Sequence, residues 1–294
     1  MRRATLAAAA VLAALTAGPA AAKDFCVGAA GCDFQSLQQA LDAASATAGH
    51  DRIVVGTGAW PEAVTGGDVE IDGSGPSTVL AGLRVAAGDA PATVRRVRIA
   101  GTVTAAAGAL SIRDAVIDAR GSDVAVTTAA SGTVDLQGDT LLGNGGQAID
   151  AHASNAADHV TVNVRDSVVS GFGPQALART GAGVANMSLS YSDVFPASEV
   201  VQHAAGTLTT TAVLHTAPAF EADGFTPAAG SPLIDAATPG AFGIGELDFL
   251  GHPRLAAFGC HTARRDIGAV EATGSCRRHH VPRWRRWGQG LTSL

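Results

Sequence analysis

The chain has 294 residues, of which 47% are hydrophobic, 4% aromatic and 16% charged. Of the 20 basic residues, two lie within residues 1–22 and five follow residue 273. Residues 23–273 therefore hold 13 basic residues against all 26 acidic ones, a net charge of −13. This charge argues against a nucleic-acid partner and against a simple electrostatic grip on acidic polysaccharide. The length suits one solenoid core and gives no reason for a second domain.

Residues 1–22 have the three parts of a secretory signal peptide. Arg2 and Arg3 supply the positive start, an apolar run follows, and Ala20-Ala21-Ala22 forms a small-residue cleavage site. The apolar run is shorter than the roughly 20 residues needed to span a membrane. We therefore expect a secreted, extracellular protein without a transmembrane segment.

The four cysteines fit an oxidising compartment. Cys26 and Cys32 are close in sequence, as are Cys260 and Cys276, so these two disulfides are favoured among three possible connectivities. Closing such short loops would contribute roughly 2–3 kcal/mol each and would pin both ends of the molecule. A metal site built from the four thiolates lacks the usual two-residue spacing, so no metal site is predicted.

A helix is predicted near residues 35–44, ahead of a buried strand at 53–55. Apolar residues at 34, 37, 40, 41 and 44 have the spacing of one helical face. An amphipathic helix in this place would cover the open end of a solenoid.

The stretch from Val94 to Val194 contains a short phrase that recurs five times. Each copy has two apolar positions that lie five residues apart, and the copies start 18, 24, 28 and 25 residues apart. The first column is Val94, Ile112, Leu136, Val164 and Leu189, and the second is Ile99, Ile117, Leu141, Val169 and Val194. The period is near the length of one solenoid turn, and short runs of Val, Ile and Leu indicate strands.

These repeats predict an all-β fold, a single-stranded parallel β-helix of about seven to nine coils that are about 4.8 Å apart. Crossover chirality favours a right-handed coil. A β-sandwich is the weaker alternative because it would not keep two columns in register over five copies. The longest connection, residues 144–159, is expected to protrude as a loop. Its Asp150, His152, Asp158 and His159 fit no known zinc signature.

Two regions resemble known families. The sequence FQSLQQALDAASATAGHDRIVVGTGAW from Phe34, followed by IDGSGPSTVLAG, resembles the opening of secreted right-handed parallel β-helix proteins of the pectin-lyase-like superfamily. SPLID from Ser231, DFLGHPR from Asp248 and DIGAVE from Asp266 are similar to the closing signature of bacterial choice-of-anchor Q proteins. The resemblance implies the fold and export and says little about activity.

The C-terminal motifs concentrate charged residues. These are Asp235, Asp248, Arg254, Asp266 and Glu271. A compact set of carboxylates with one arginine could be an active site. We favour ion pairs and turn hydrogen bonds that close the last coil, because a buried charge needs a partner.

The motifs of the superfamily's enzymes are absent from the sequence. Its lyases abstract a proton with Arg or Lys, but the one lysine is Lys23 and no Arg-x-Pro occurs. The Asp-Asp, Gly-His-Gly and Arg-x-Lys motifs of inverting polygalacturonases are also missing. We therefore favour a non-catalytic β-helix protein of the cell surface or medium that needs no cofactor.

Aspartates form the alternative, catalytic candidate. Asp114 and Asp166 share the third position of the repeat with Gly138 between them, and Asp139 lies one place later. On adjacent coils they would lie about 5 Å apart. They could hold calcium or act as acid and base of a polysaccharide lyase or glycosidase. Turn aspartates commonly bond their own backbone, and this structural role is favoured.

Arginines occupy the second position of the repeat at Arg95, Arg113 and Arg165. Alternation along a strand turns them outward. The favoured interpretation is a solvated face of charge pairs. The alternative is a strip that contacts a cell-surface or extracellular polysaccharide.

Residues 274–294 form a separate basic tail with five Arg, two His, two Trp and no acidic residue. Such a tail is most often disordered. Alternatively it attaches the protein loosely to an anionic envelope surface, where each arginine contributes about 1 kcal/mol. The expected organisation is thus a signal peptide (1–22), a monomeric β-helix body (23–273) and this tail.

Overall fold

The computed structural model describes residues 22–47, 49–66, 68–86, 91–196, 201–239, 246–255 and 264–273. Within these ranges the chain forms a parallel β-helix with three parallel sheets and one α-helix. After the first strand, successive coils contribute strands to sheets A, B and C in turn. The predicted β-helix is confirmed; the right-handed sense of its coil stays a prediction.

Sheet A contains nine strands, each paired in parallel with its neighbours in the next coils. They are β1 (Asp24–Val27), β2 (Asp51–Val55), β5 (Val69–Asp72), β8 (Ala92–Arg95), β11 (Gly108–Arg113), β14 (Gly132–Gln137), β17 (His159–Arg165), β20 (Val184–Ser190) and β23 (Leu208–Thr211).

Sheets B and C contain seven strands each. Sheet B comprises β3 (Gly58–Trp60), β6 (Thr78–Leu80), β9 (Arg98–Ile99), β12 (Val116–Asp118), β15 (Thr140–Leu142), β18 (Val168–Ser170) and β21 (Asp193–Phe195). Sheet C comprises β4 (Ala63–Thr65), β7 (Leu83–Val85), β10 (Val103–Ala105), β13 (Val124–Thr128), β16 (Gln147–Ala153), β19 (Leu177–Gly181) and β22 (Val201–Gln202).

Both apolar columns of the repeat are ladders of inward side chains. The first column runs in register through sheet A from β8 to β20. The second column runs in register through sheet B from β9 to β21. All ten side chains are buried in one core. Burial of each such side chain stabilises the fold by about 1.5–3 kcal/mol.

Helix α1 (Leu37–Ser45) caps the first coils, as predicted. Leu37, Ala40, Leu41 and Ala44 form its buried face and belong to the main core. The helix contacts β1, β2, β4 and β5. Among the described residues, no helix is both long and apolar enough to cross a membrane.

The predicted loop at residues 144–159 is wrong for much of its length. Strand β16 occupies Gln147–Ala153 and buries the side chains of Ala148, Ala151 and Ala153. Alanine is depleted in strands and buries little area, so alternation of this kind is a weak signal in a sequence.

The segment after β23 returns along the outer face of sheet B. We call residues 231–239, 246–255 and 264–273 the strap. Its Phe249 and Val270 pack with Val116 of β12, and its Leu233 and Ile267 pack with Val168 of β18. The motifs expected to close the last coil therefore lie across central coils, which corrects that expectation.

Candidate functional site

Each strand from β8 to β20 in sheet A leads into sheet B through one residue with positive φ. We call this turn column the corner. It consists of Arg96 (φ 52°), Asp114 (52°), Gly138 (66°), Asp166 (53°) and Tyr191 (48°). Glycine adopts this left-handed conformation freely, and Asp is enriched in it relative to other residues. The aspartate column of the repeat is therefore a turn column.

Asp114 is held by an arginine of the strap. Asp114 is only 8% exposed. The Nε of Arg254 lies 2.7 Å from its Oδ1. The same guanidinium donates to Glu271 Oε1 at 2.8 Å. At Gly138 an added Cβ would lie 1.9 Å from the terminal nitrogen of Arg254. The glycine that interrupts the aspartate column therefore makes room for this guanidinium.

Desolvation dominates the electrostatics of this cluster. Burial raises the pKa of Asp114 to about 6 and that of Glu271 to about 9, although Arg254 opposes both shifts. Burial alone would lower the pKa of Arg254, but Asp114 and Glu271 outweigh it and raise that pKa. Burial likewise raises the pKa of Asp266 to about 6. One guanidinium is shared by two carboxyl groups, so ionising both is costly.

Asp166 is also covered by the strap. It is 1% exposed, and its Oδ1 accepts hydrogen bonds from the backbone N–H and the hydroxyl of Thr238, at 2.7 and 2.6 Å. The backbone carbonyl of Asp166 accepts from the N–H of Gly268 at 2.8 Å. Both the side chain and the backbone of this residue thus anchor the strap.

Asp139 belongs to a ladder that links successive coils at the corner. It is 0% exposed, and its Oδ1 accepts the N–H of Ala115 at 2.9 Å. In the next coils, the N–H of Asp139 donates to Ser167 Oγ at 3.0 Å and that of Ser167 to Ser192 Oγ at 3.2 Å. Burial raises the pKa of Asp139 well above its ordinary value. The side chains of Asp139, Ser167 and Ser192 thus have the same role, because each accepts a backbone N–H from the preceding coil.

The structure thus stacks the three predicted catalytic aspartates, Asp114, Asp139 and Asp166, on neighbouring coils but buries all of them. A substrate or calcium ion would have to displace the strap to reach Asp114 and Asp166. The described residues include no cluster of three or more side chains suited to holding a metal ion. The catalytic role stays a prediction, and the geometry favours a structural one.

The arginine column faces outward, and its members differ in their surroundings. Arg95 contacts Glu70 and the buried Asp72. Arg113 and Arg165 have side chains that are 45% and 44% exposed. Their nearest acidic groups lie 4.0 and 3.9 Å away, Glu246 and Asp166 respectively. These two guanidiniums are therefore accessible to a ligand.

Arg113 and Arg165 line an open cleft of about 370 Å³ on the outer face of sheet A, which we call the sheet A cleft. A row of polar side chains crosses it. Asn163 Nδ2 donates to Asp135 Oδ1 at 2.7 Å, and Ser188 Oγ donates to Asn163 Oδ1 at 2.6 Å. This row was not predicted from the sequence. Its signal was a polar residue two places before the end of each strand: Asp135 before Gln137, Asn163 before Arg165 and Ser188 before Ser190.

The polar residues of the predicted loop do not converge on one site. On sheet C, Thr180 Oγ1 donates to Asp150 Oδ1 and lies near His152 Nδ1, both at 2.7 Å. Asp158 lies in the turn that follows, where a backbone hydrogen bond from Asn155 lowers its pKa. The four residues are thus divided between sheet C and the entry to sheet A.

Cys26 and Cys32 are free cysteines, whereas the sequence spacing predicted a disulfide. Cys26 Sγ accepts the N–H of Asp33 at 3.3 Å. A hydrogen bond with Cys26 is the main cause of a raised pKa at Cys32. The other predicted pair, Cys260 and Cys276, lies outside the described residues, as does the basic tail.

The chain matches no protein-family model, no curated protein and no solved structure. Its function must therefore be argued from the geometry of the sheet A cleft and the corner.

Proposed function

We propose that this is a secreted, non-catalytic protein of the cell surface or medium that binds a glycan along the sheet A cleft. We further infer kinship with the pectin-lyase-like superfamily and the choice-of-anchor Q group, supported by the motifs quoted above. The observation that carries the proposal is the cleft itself, where outward-facing guanidinium, carboxylate, amide and hydroxyl groups lie on successive coils.

The chemistry of the cleft suits sugar hydroxyls. Asn163, Asp135 and Ser188 hold one another in place, so less side-chain freedom is lost when a ligand binds. Arg113 and Arg165 lie on either side of Gln137, on the coils before and after it. Their guanidinium groups add hydrogen-bond donors at two coils. Among the residues that the structure describes, no aromatic side chain lines this cleft. Binding therefore depends on hydrogen bonds, and we expect a dissociation constant on the order of 1 mM, about −4 kcal/mol.

A carbohydrate-active enzyme is the second candidate, and it would use the aspartates at the corner. General acid–base catalysis requires a group within hydrogen-bonding reach of the substrate. Asp114 and Asp166 instead hold the strap, and Asp139 holds the ladder. The geometry therefore supports the binding function better.

A panel of soluble polysaccharides, titrated with and without calcium, tests the proposal. The double variant Arg113→Gln/Arg165→Gln should lose at least tenfold in affinity, whereas Arg84→Gln on sheet C should bind like the wild type. Sugar release is measured in the same samples. Unsaturated or reducing sugars that disappear in Asp139→Ala, with the fold intact, would establish the enzyme instead. Equal affinity of the wild type and both variants would refute glycan binding in the sheet A cleft.

A further inference from the structure

Asp51, at the start of β2, is a buried carboxylate without a cationic side chain beside it. It is 0% exposed. Within the described ranges, no Arg, Lys or His side chain approaches it to 4.0 Å. Its Oδ2 accepts a hydrogen bond from the Thr47 hydroxyl, and its Oδ1 accepts the backbone nitrogen of Lys23 at 2.8 Å. A buried charge without an ionic partner is costly, so a cation placed beside Asp51 would stabilise the fold.

The charges that surround Asp51 are engaged elsewhere. Arg52, the next residue, points to the outer face and pairs with Asp72 and Glu70. His50 pairs with Asp68. Among the described residues, the nitrogen that contacts Asp51 Oδ1 is the backbone nitrogen of Lys23.

That nitrogen is the atom released by the predicted cleavage after Ala22. A signal peptidase would add one water across the Ala22–Lys23 bond. The C–N bond breaks, Ala22 leaves as a carboxylate, and Lys23 keeps an amine that takes up a proton. The usual pKa of an α-amino group is about 7.7–8, so the new terminus is mostly an ammonium at neutral pH.

We propose that removal of the signal peptide creates a partly buried ion pair between the α-ammonium of Lys23 and the buried carboxylate of Asp51, which locks the first coil of the β-helix. The precursor offers only an uncharged amide N–H at the same place. Strand β1 holds the nitrogen there, because the carbonyl of Lys23 accepts the N–H of Arg52 at 2.8 Å and β1 pairs with β2. The proposal depends on export of the chain and not on glycan binding.

The test compares chains that start at residue 23 or at residue 22, both released from a cleavable fusion. Ala22 is exposed, so the extra residue fits without a clash. The extension keeps the N–H at Lys23 but moves the ammonium outward by about 3.5 Å. We expect the chain from residue 22 to melt about 5–10 °C lower. With Asp51→Asn in both chains, the two melting temperatures should coincide.

Two control variants separate this pair from other charges. Lys23→Ala removes the side-chain ammonium and keeps the α-ammonium, so the difference between the two chains should persist. Asp24→Asn changes an exposed carboxylate nearby and should also leave it unchanged. Equal melting temperatures of the two Asp51 chains, or a difference that survives Asp51→Asn, would overturn the proposal. So would an exported protein whose first residue is not Lys23. Glycan binding at the distant cleft should be the same in every chain.

Discussion

The same repeat supplies residues to the outer faces of sheets A and B, but the two faces have opposite environments. On sheet A, Arg113 and Arg165 stand in solvent beside the sheet A cleft. One residue later, Asp114 and Asp166 are buried beneath the strap that covers sheet B. The positive-φ corner turns the chain between these two faces. Neighbouring charges in one motif can therefore have separate functions, binding on one side and closure on the other.

Exposed and buried ion pairs of the molecule also contribute different energies to its stability. The pair of Arg120 with Asp118 is formed by an arginine whose side chain is 56% exposed, and such pairs contribute about 1 kcal/mol or less. Arg254 and Glu271 have side chains that are 3% and 1% exposed. Removal of Arg254 leaves two buried carboxyl groups, Asp114 and Glu271, without their shared donor, which is costly.

The largest expected effect follows from Arg254→Ala. It leaves Asp114 and Glu271 without their shared guanidinium, so we expect a loss of about 3–5 kcal/mol in the free energy of unfolding. Urea denaturation measures the loss, and hydrogen exchange should show that amides of the strap are affected most. Arg120→Ala is the matched control and should cost about 1 kcal/mol or less. Similar small losses in both variants would mean that the strap is not held by this cluster.

Stability should fall as the pH rises. Asp114 and Asp266 have folded-state pKa values of about 6, and Glu271 of about 9, all above their ordinary values. The folded state therefore binds more protons than the unfolded state. The stability from these groups is present below their ordinary pKa values and is lost as the pH rises through the folded ones. The total loss from about pH 5 to about pH 9 should be about 3 kcal/mol or more.

Two variants assign this slope to the cluster. Asp114→Asn should flatten the fall around pH 6, because the amide does not titrate. Asp118→Asn is the control: hydrogen bonds from Arg120 lower the pKa of Asp118, so it does not titrate in this range. A melting temperature that rises steadily over the same range in the wild type would contradict the prediction.

A smaller effect is expected from alanine substitutions at two glycines, which distinguish a steric clash from backbone strain. Gly138 and Gly145 both have positive φ, 66° and 85°. An added Cβ at Gly138 would meet Arg254, whereas at Gly145 nothing lies within 4 Å. Both alanine variants pay about 1–2 kcal/mol for the left-handed backbone, and Gly138→Ala should lose about 1–3 kcal/mol more. Thermal unfolding of the two variants measures this difference, and equal losses would remove the steric role of Gly138.

The coil architecture could be predicted because its core repeats. Val94 and Ile112 lie in one inward column, and each copy of the phrase places an apolar residue at that same buried position. The strap could not be predicted in this way, because its motifs do not repeat and its contacts are distant in sequence. The N–H of Ala269, for example, donates to Thr140 Oγ1 across 129 positions.

The candidate sites were only partly predictable for the same reason. The sequence placed Asp114 and Asp166 in a turn column, but the partner that buries Asp114, Arg254, follows 140 residues later. The polar row through Asp135 and Asn163 is harder to predict, because its residue types differ from coil to coil whereas the arginines recur. Alternation along strands would have placed both residues on the same outward face.

Carboxylate labelling tests the contrast between the two faces most directly. The native protein is treated with a water-soluble carbodiimide and an amine at mildly acidic pH, and modified aspartates are located by peptide mass spectrometry. Asp135, exposed on the sheet A face, should be labelled, whereas Asp114, Asp139 and Asp166 should be protected until the protein unfolds. Labelling of Asp114 and Asp166 at the rate of Asp135 in the folded protein would contradict the account, because the strap would then not cover the corner.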